Sequence, residues 1–399
     1  MIGAGVFAAF TPAAQAAGSG LLVGLVVAAV VALGNATSSA QLAAVYPSSG
    51  GTYVYGRERL GPWWGFIAGW GFVIGKTASC AAMALTFAAY AAPAGWERPL
   101  AVAAVVALVV INLLGVTRTA FAARVIVAIV LVVLAIVVVA SASSGMGGLD
   151  LTSSLVSSGP YGILQSAGLL FFAFAGYARI ATLGEEVRDP SRTIPAAIVL
   201  ALSIVVVVYA AIAVSILAVL GAAGVAGSSA PLADTVEAVG WGWAAPVVRI
   251  AAALASLGAL LALLAGVGRT TLAMAREGDL PRWLAAVHPR FLVPHRAEIL
   301  VGLVVCALVA TIDLRGAIGF SSLGVLVYYL IANTAALTQP HDQRRYPRVL
   351  AIVGAVGCVV LVVTLPWQSI VAGLGVIAAG VIYRLLSARV RASNTTTEP

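Results

Sequence analysis

Lys76 is the only lysine among 22 basic residues, and it lies in the apolar stretch "GFVIGKTASC". The "GKT" at 75–77 matches the end of a phosphate-binding loop. That motif needs a glycine five residues before Gly75, where this chain has Trp70, and the run has the composition of a hydrophobic helix. Nucleotide binding is excluded on both counts. Arg179 and Arg249 are the other cations set in apolar surroundings. Glu185 and Glu186 could be taken for an acid/base pair, but adjacent helical residues do not face each other. In "EEVRDPSR" they read instead as a cap or gate network with Arg188 and Arg192. His288, His295 and His341 have no partners at zinc-ligand spacing. Cys80, Cys306 and Cys358 lie far apart in apolar segments and read as buried free thiols. No nucleophile stands beside a base, so the chain does not read as an enzyme, and it calls for no cofactor or metal.

The elements that would hold these residues are membrane helices. The 399 residues are 62% hydrophobic and 9% charged, against about 25% charged in a soluble domain. Runs such as "VIVAIVLVVLAIVVVA" suit spanning helices of about 20 residues rather than the short alternating segments of a β-barrel. The pattern predicts an all-α integral membrane protein of about twelve spans. The first six are 1–17, 20–46, 62–92, 99–115, 120–141 and 161–184. The second six are 193–221, 242–275, 298–312, 316–337, 348–365 and 367–386. The stretch 47–61 reads as a loop or an interfacial helix. Most of the arginines, among them Arg57, Arg59, Arg118, Arg276, Arg282, Arg344 and Arg345, then share one side with both termini. The opposite loops carry Arg98 and Arg315 beside Glu97, Asp150, Asp234, Glu237 and Asp313. Basic loops stay cytoplasmic, so both termini are expected inside a cytoplasmic membrane. The net charge of +8 is accounted for by this topology, without nucleic acid. Arg249, about one turn from the outer end of its span, is expected to snorkel to the interface.

Two spans are interrupted by glycine: "IGAGVF" in the first and "FFAFAGYARIAT" in the sixth. Transporters built from inverted repeats bind substrate at such breaks, whereas glycines elsewhere simply allow close helix packing. The spacing leaves both readings open.

The residues around the breaks carry a resemblance. "FFAFAGYARIATLGEEVRDPSRTIPAAI" (171–198) resembles the sixth-helix signature of amino acid permeases of the amino acid–polyamine–organocation superfamily. "YPSSGGTYVYGRERLG" and "GRTTLAMAREGDLPRWLAAVHPRFLVPHRAEIL" (268–300) are similar to stretches after the second and eighth helices of bacterial permeases and cationic amino acid transporters. The resemblance implies the leucine-transporter fold, with a 5+5 inverted repeat plus two extra helices. The first repeat would occupy 1–141, an outer loop 142–160 and the second repeat 161–338. A cytoplasmic loop at 339–347, the last two helices at 348–386 and a tail at 387–399 would follow. Helices 1, 2, 6 and 7 would move against a scaffold of the others. By position, the N–H groups of Gly3, Ala4 and Gly5 would meet a substrate carboxylate. Carbonyls around Phe172, Ala173 and Ala175 would take its ammonium, with Gly176 and Tyr177 at the break and Phe172 as a lid. Half-helix ends supply such donors and acceptors without a charged side chain.

Lys76 lies 14 residues beyond Pro62, roughly 21 Å along a helix. Some proton-coupled relatives place a lysine in the fifth helix, but the matching position here is Val130. Lys76 could couple protons from the third span, since a desolvated lysine can titrate near neutral pH. The alternative is a fixed donor to carbonyls of a broken helix. Arg179 would either face an inner vestibule or pair with Glu185 or Glu186.

The function expected is a secondary transporter of amino acids. With cations and no acid in the span cores, neutral substrates come first. The "LGP" at 60–62, where relatives often have "LGE", removes a further acid. An exchanger or amine/polyamine permease on the same scaffold is the alternative, and a non-transporting membrane sensor a third. The partners implied are an amino acid, the lipid bilayer and, in the coupled reading, protons. "MIGAGVF" resembles the middle of a first helix whose inner half is missing, so Met1 is expected to be an internal residue.

Overall fold

A computed structural model describes residues 2–46, 50–115, 120–143, 151–177, 187 and 189–395. The described residues form helices and no strands. Helices α1 (Gly5–Ala8) and α2 (Phe10–Ala17) run into α3 (Leu21–Val45) through a tight turn at Gly18–Gly20. A short α4 (Thr52–Leu60) precedes the 30-residue α5 (Pro62–Ala91), whose first-turn proline suits a helix start. Then follow α6 (Glu97–Leu113), α7 (Ala120–Ser143) and α8 (Leu151–Phe174). The second half contains α9 (Pro190–Gly227), α10 (Pro231–Ala238), α11 (Ala245–Arg276), α12 (His295–Thr311), α13 (Leu314–Leu337), α14 (Arg348–Thr364) and α15 (Trp367–Thr395).

By length and composition, seven helical stretches among the described residues can cross a membrane. Three further spans coincide with the 17-residue helices α6, α12 and α14, at the lower end of the ~17–25 residues that suffice. The stretch 47–61, left open between loop and interfacial helix, contains α4. Three details differ from the sequence boundaries. The loop at 142–160 becomes helical from Leu151, and α8 is broken at Gly159. The seventh span is followed, past a kink at Gly221, by further helix. The short α10 carried no membrane-scale signal at all.

The most enclosed helix is α5, which packs against α11 and α13, while α3 packs against α8, α9 and α14. The α5–α13 contact is backbone to backbone. A Cβ on Gly324 would lie 2.7 Å from the Gly71 carbonyl oxygen and 2.8 Å from the Gly75 Cα. Only hydrogen fits there, which is how small residues let membrane helices approach. The Ser79 and Ser321 hydroxyls, 2.6 Å apart, fasten the same two helices. Buried amides tie the other layer: Asn333 Nδ2 donates to Asn35 Oδ1 at 2.6 Å, and Cys358 Sγ approaches that oxygen at 3.4 Å. Cys80 and Cys358 are buried free thiols, and Cys306 is half-buried.

Candidate functional site

The chain turns into α1 at Gly3 and Ala4, and the Phe7 and Ala8 N–H groups both donate to the Ala4 carbonyl at 3.0 Å. The first amides of a helix have no acceptor one turn upstream. The N–H groups of Ala4, Gly5 and Val6 belong to the first turn of α1, and all three residues are buried within protein.

The second break faces the first. Helix α8 ends at Phe174, Ala175 and Gly176 form a turn, and helical structure resumes at Tyr177. A Cβ on Gly5 would sit 2.7 Å from the Ala173 Cα and 2.9 Å from its Cβ, so the two breaks meet where Gly5 has no side chain. Gly3 is less tightly held, 3.3 Å from the Ala259 Cβ of α11 by the same construction.

Three polar side chains hold the carbonyls of the breaks. Lys76 of α5, 6% exposed, donates from Nζ to the Ala175 carbonyl at 3.1 Å. Tyr209 of α9 donates to the Ala173 carbonyl at 3.2 Å, and Tyr90 of α5 to the Phe7 carbonyl at 3.3 Å. The Tyr90 ring lies edge-on to Phe7, and the Tyr209 ring contacts Phe10 and Phe174. The structure therefore brings together Gly5, Ala173, Ala175 and Lys76, with Phe172 buried beside them and Tyr177 stacked near Tyr329. The Lys76 contact is the one the fixed-donor reading requires. Arg179, Glu185, Glu186 and Arg188 lie outside the described residues.

Sequence reasoning missed Tyr90 and Tyr209. Their signal was weak but present: a phenol inside an apolar helix needs an acceptor, and a carbonyl freed by a helix break supplies one. It also passed over Glu298, which is buried in the first turn of α12 against Gly268. Arg249 lies near the N-terminal end of α11 with its side chain 40% exposed, 3.9 Å from the Asp234 carboxylate of α10.

At the end of the bundle bearing α4, charges converge on Asp279. Its carboxylate accepts from the Tyr53 hydroxyl at 2.9 Å and Arg57 at 3.3 Å and is ion-paired with Arg384 at 3.0 Å, while Arg57 also reaches Glu277 at 3.2 Å. The Arg384 guanidinium lies over the Trp63 and Phe66 rings at 4.8 and 4.7 Å. Burial, and then the neighbouring Asp279 charge, push the Tyr53 hydroxyl above its ordinary value, so it stays a protonated donor. Among the described residues no group of three or more His, Cys, Asp or Glu side chains gathers as a metal site.

Amides of a helix start lie opposite carbonyls of a turn, and each oxygen carries a second lone pair. With the long apolar helices, the start of α1 set against the turn after α8 defines a polytopic membrane protein whose two chain turns meet inside the bundle. The chain belongs to the amino acid permease family, whose model matches residues 1–387. An uncharacterized transporter of Mycobacterium tuberculosis is 60% identical over 399 residues, covering 99% of this chain and 90% of its own length. A branched-chain amino acid permease of Bacillus subtilis is 25% identical over 98% of this chain and 90% of its own length. A cationic amino acid transporter of Arabidopsis thaliana is 27% identical over 84% of this chain and 62% of its own length. The chain is thus a multi-pass membrane transporter of this family, and its architecture is the all-α one expected.

Proposed function

We propose that the protein moves neutral amino acids across the cytoplasmic membrane by alternating access, with both termini in the cytoplasm. One observation carries this: the meeting of the α1 start and the α8 break at Gly5 and Ala173. The amides of Gly3, Ala4 and Gly5 take the substrate carboxylate. The carbonyls around Phe172 and Ala173 take its ammonium, and Phe172 covers it. The Ala175 carbonyl, also expected to serve the substrate, is held by Lys76. A fixed ammonium in the wall repels a cationic side chain and leaves a neutral one unaffected, which favours neutral over cationic substrates. The similarity to a branched-chain permease supports that preference. The similarity to a cationic transporter pulls the other way, and the Lys76 ammonium in the wall supports the neutral class. The region 1–141 and the region 161–338 act as the two repeats, with α1–α3, α8 and α9 rocking against the rest.

The test is uptake in proteoliposomes. One labelled neutral amino acid is challenged with neutral, acidic, cationic and amine competitors, with and without an inward proton gradient, for the wild type and Lys76→Ala. Neutral amino acids should compete best. Removing the Lys76 donor leaves a buried carbonyl without its partner, a loss of ~1–3 kcal/mol, and uptake should fall roughly tenfold. In the coupled reading the dependence on the proton gradient disappears as well. Strongest competition by cationic amino acids or amines would overturn the neutral assignment. Unchanged uptake and gradient dependence in Lys76→Ala would remove the lysine from the mechanism.

A further inference from the structure

A groove of about 780 Å³ runs along the outside of the bundle, between α5, α12, α13 and α15. None of its lining residues belongs to the facing breaks. On α15 it extends from Gln368 to Tyr383, about 22 Å of helix at 1.5 Å per residue. That exceeds the ~15 Å depth of one leaflet of a ~30 Å hydrocarbon core. Its volume falls in the ~300–1,000 Å³ range of ligand sites, and its wall is apolar, with Val304, Leu308 and Ala372 along its length.

The two ends of the groove differ. At one end the lining includes Pro281, Trp283 and Tyr383. Trp283 is half exposed, and so are Trp63 and Trp64 at the start of α5, residues of the kind found in the aromatic belt at a membrane interface. Arg282 is exposed and flanked by two lining residues, and Arg296, also exposed, donates to the Trp283 carbonyl at 3.3 Å. Glu277 and Asp279 nearby are paired with Arg57 and Arg384. Arg282 and Arg296 therefore give this mouth its net positive charge. The far end closes on Ile312, Gly316 and Gln368, where the neighbouring Arg315 is half-buried and donates to Gln165 Oε1 at 3.0 Å.

We propose that this groove binds one anionic phospholipid from the leaflet on the arginine-rich side. An acyl chain would lie along α15 and the phosphate against Arg282 and Arg296. Basic pockets between membrane helices recognise anionic headgroups in this way. The inference needs only the spanning helices and the basic face, so it stands or falls separately from the substrate assignment.

The experiment reads lipid retention. The full-length protein is purified in mild detergent, mixed with phosphatidylglycerol or phosphatidylcholine of identical chains, and examined by native mass spectrometry and thermal melting. Wild type should retain phosphatidylglycerol with a roughly tenfold preference, the scale set by one to two arginines near a membrane surface, and melt higher with it. Arg282→Gln/Arg296→Gln should lose the preference while still retaining either lipid weakly. Ala372→Phe, which fills the groove from an exposed position, should lose retention of both and still melt cooperatively. Equal retention of the two lipids by wild type, or full preference in the double arginine variant, would overturn the proposal. So would disulfide-linked dimers of Ala372→Cys in native membranes, which would place a second copy of the chain in the groove.

Discussion

Gly5 and Gly3 differ in what a methyl group would meet, and this separates the two opening glycines functionally. At Gly5 the methyl falls 2.7 Å from backbone of the facing break; at Gly3 it meets only another methyl at 3.3 Å. Overpacking against a fixed backbone costs ~1–3 kcal/mol, and here it would pry apart the two halves of the site. Gly5→Ala should therefore cut uptake at least roughly tenfold, whereas Gly3→Ala should remain within about twofold. Both should reach the membrane in normal amounts by fluorescence-detected size-exclusion chromatography. Equal activity of the two variants would refute the facing-breaks geometry. Gly5 was legible in the sequence because a break in an apolar run needs a residue without a side chain. Tyr90 and Tyr209 were not, because their acceptors are backbone carbonyls 83 and 36 residues away, and nothing local in the chain encodes that pairing.

Among the elements, α15 is the least enclosed of the long helices, and its firmest polar anchor is Arg384 on Asp279. The carboxylate joins α4, the turn after α11 and α15, and the Arg384 guanidinium stacks on the first turns of α5. Removing one member of a buried ionic cluster leaves the others uncompensated, at about 3–5 kcal/mol. Asp279→Asn should lower the melting temperature in detergent by several degrees. Arg384→Gln should do the same, and the double variant less than the sum, since the two act through one contact. Full additivity would mean that the cluster does not act as a unit. Hydropathy placed nearly every long helix here, since a membrane span must be apolar for its whole length. The same signal is blind to α10 and to the helical turns from Leu151, which lie in a loop region where polar residues are tolerated. It is also blind to the pairing of Arg384, inside the last span, with Asp279 in the turn after α11.

For the whole molecule, orientation is the property on which the most depends. In the orientation proposed from the arginine asymmetry, the α14-side loop at His341–Gln343 would lie in the cytoplasm and the α5–α6 turn at Trp96 outside. Trp96 is 65% exposed and Asp342 is exposed. In intact cells a membrane-impermeant maleimide should label Trp96→Cys, and should label Asp342→Cys only after permeabilisation. The reverse pattern would overturn the proposed topology.

The glycine seam between α5 and α13 also bears on the transport cycle. Backbone lies against backbone at Gly71, Gly75 and Gly324, and the Ser79–Ser321 hydroxyl pair fastens the same two helices, so in the proposed mechanism α5 and α13 belong to the same scaffold. Lys76 is the next residue after Gly75, so its root is fixed to that scaffold. Its acceptor, the Ala175 carbonyl, belongs to the part that rocks in the proposed mechanism. Their 3.1 Å contact then spans a moving boundary. It would keep time for the cycle, closed in the conformation seen here and parted once in every turnover.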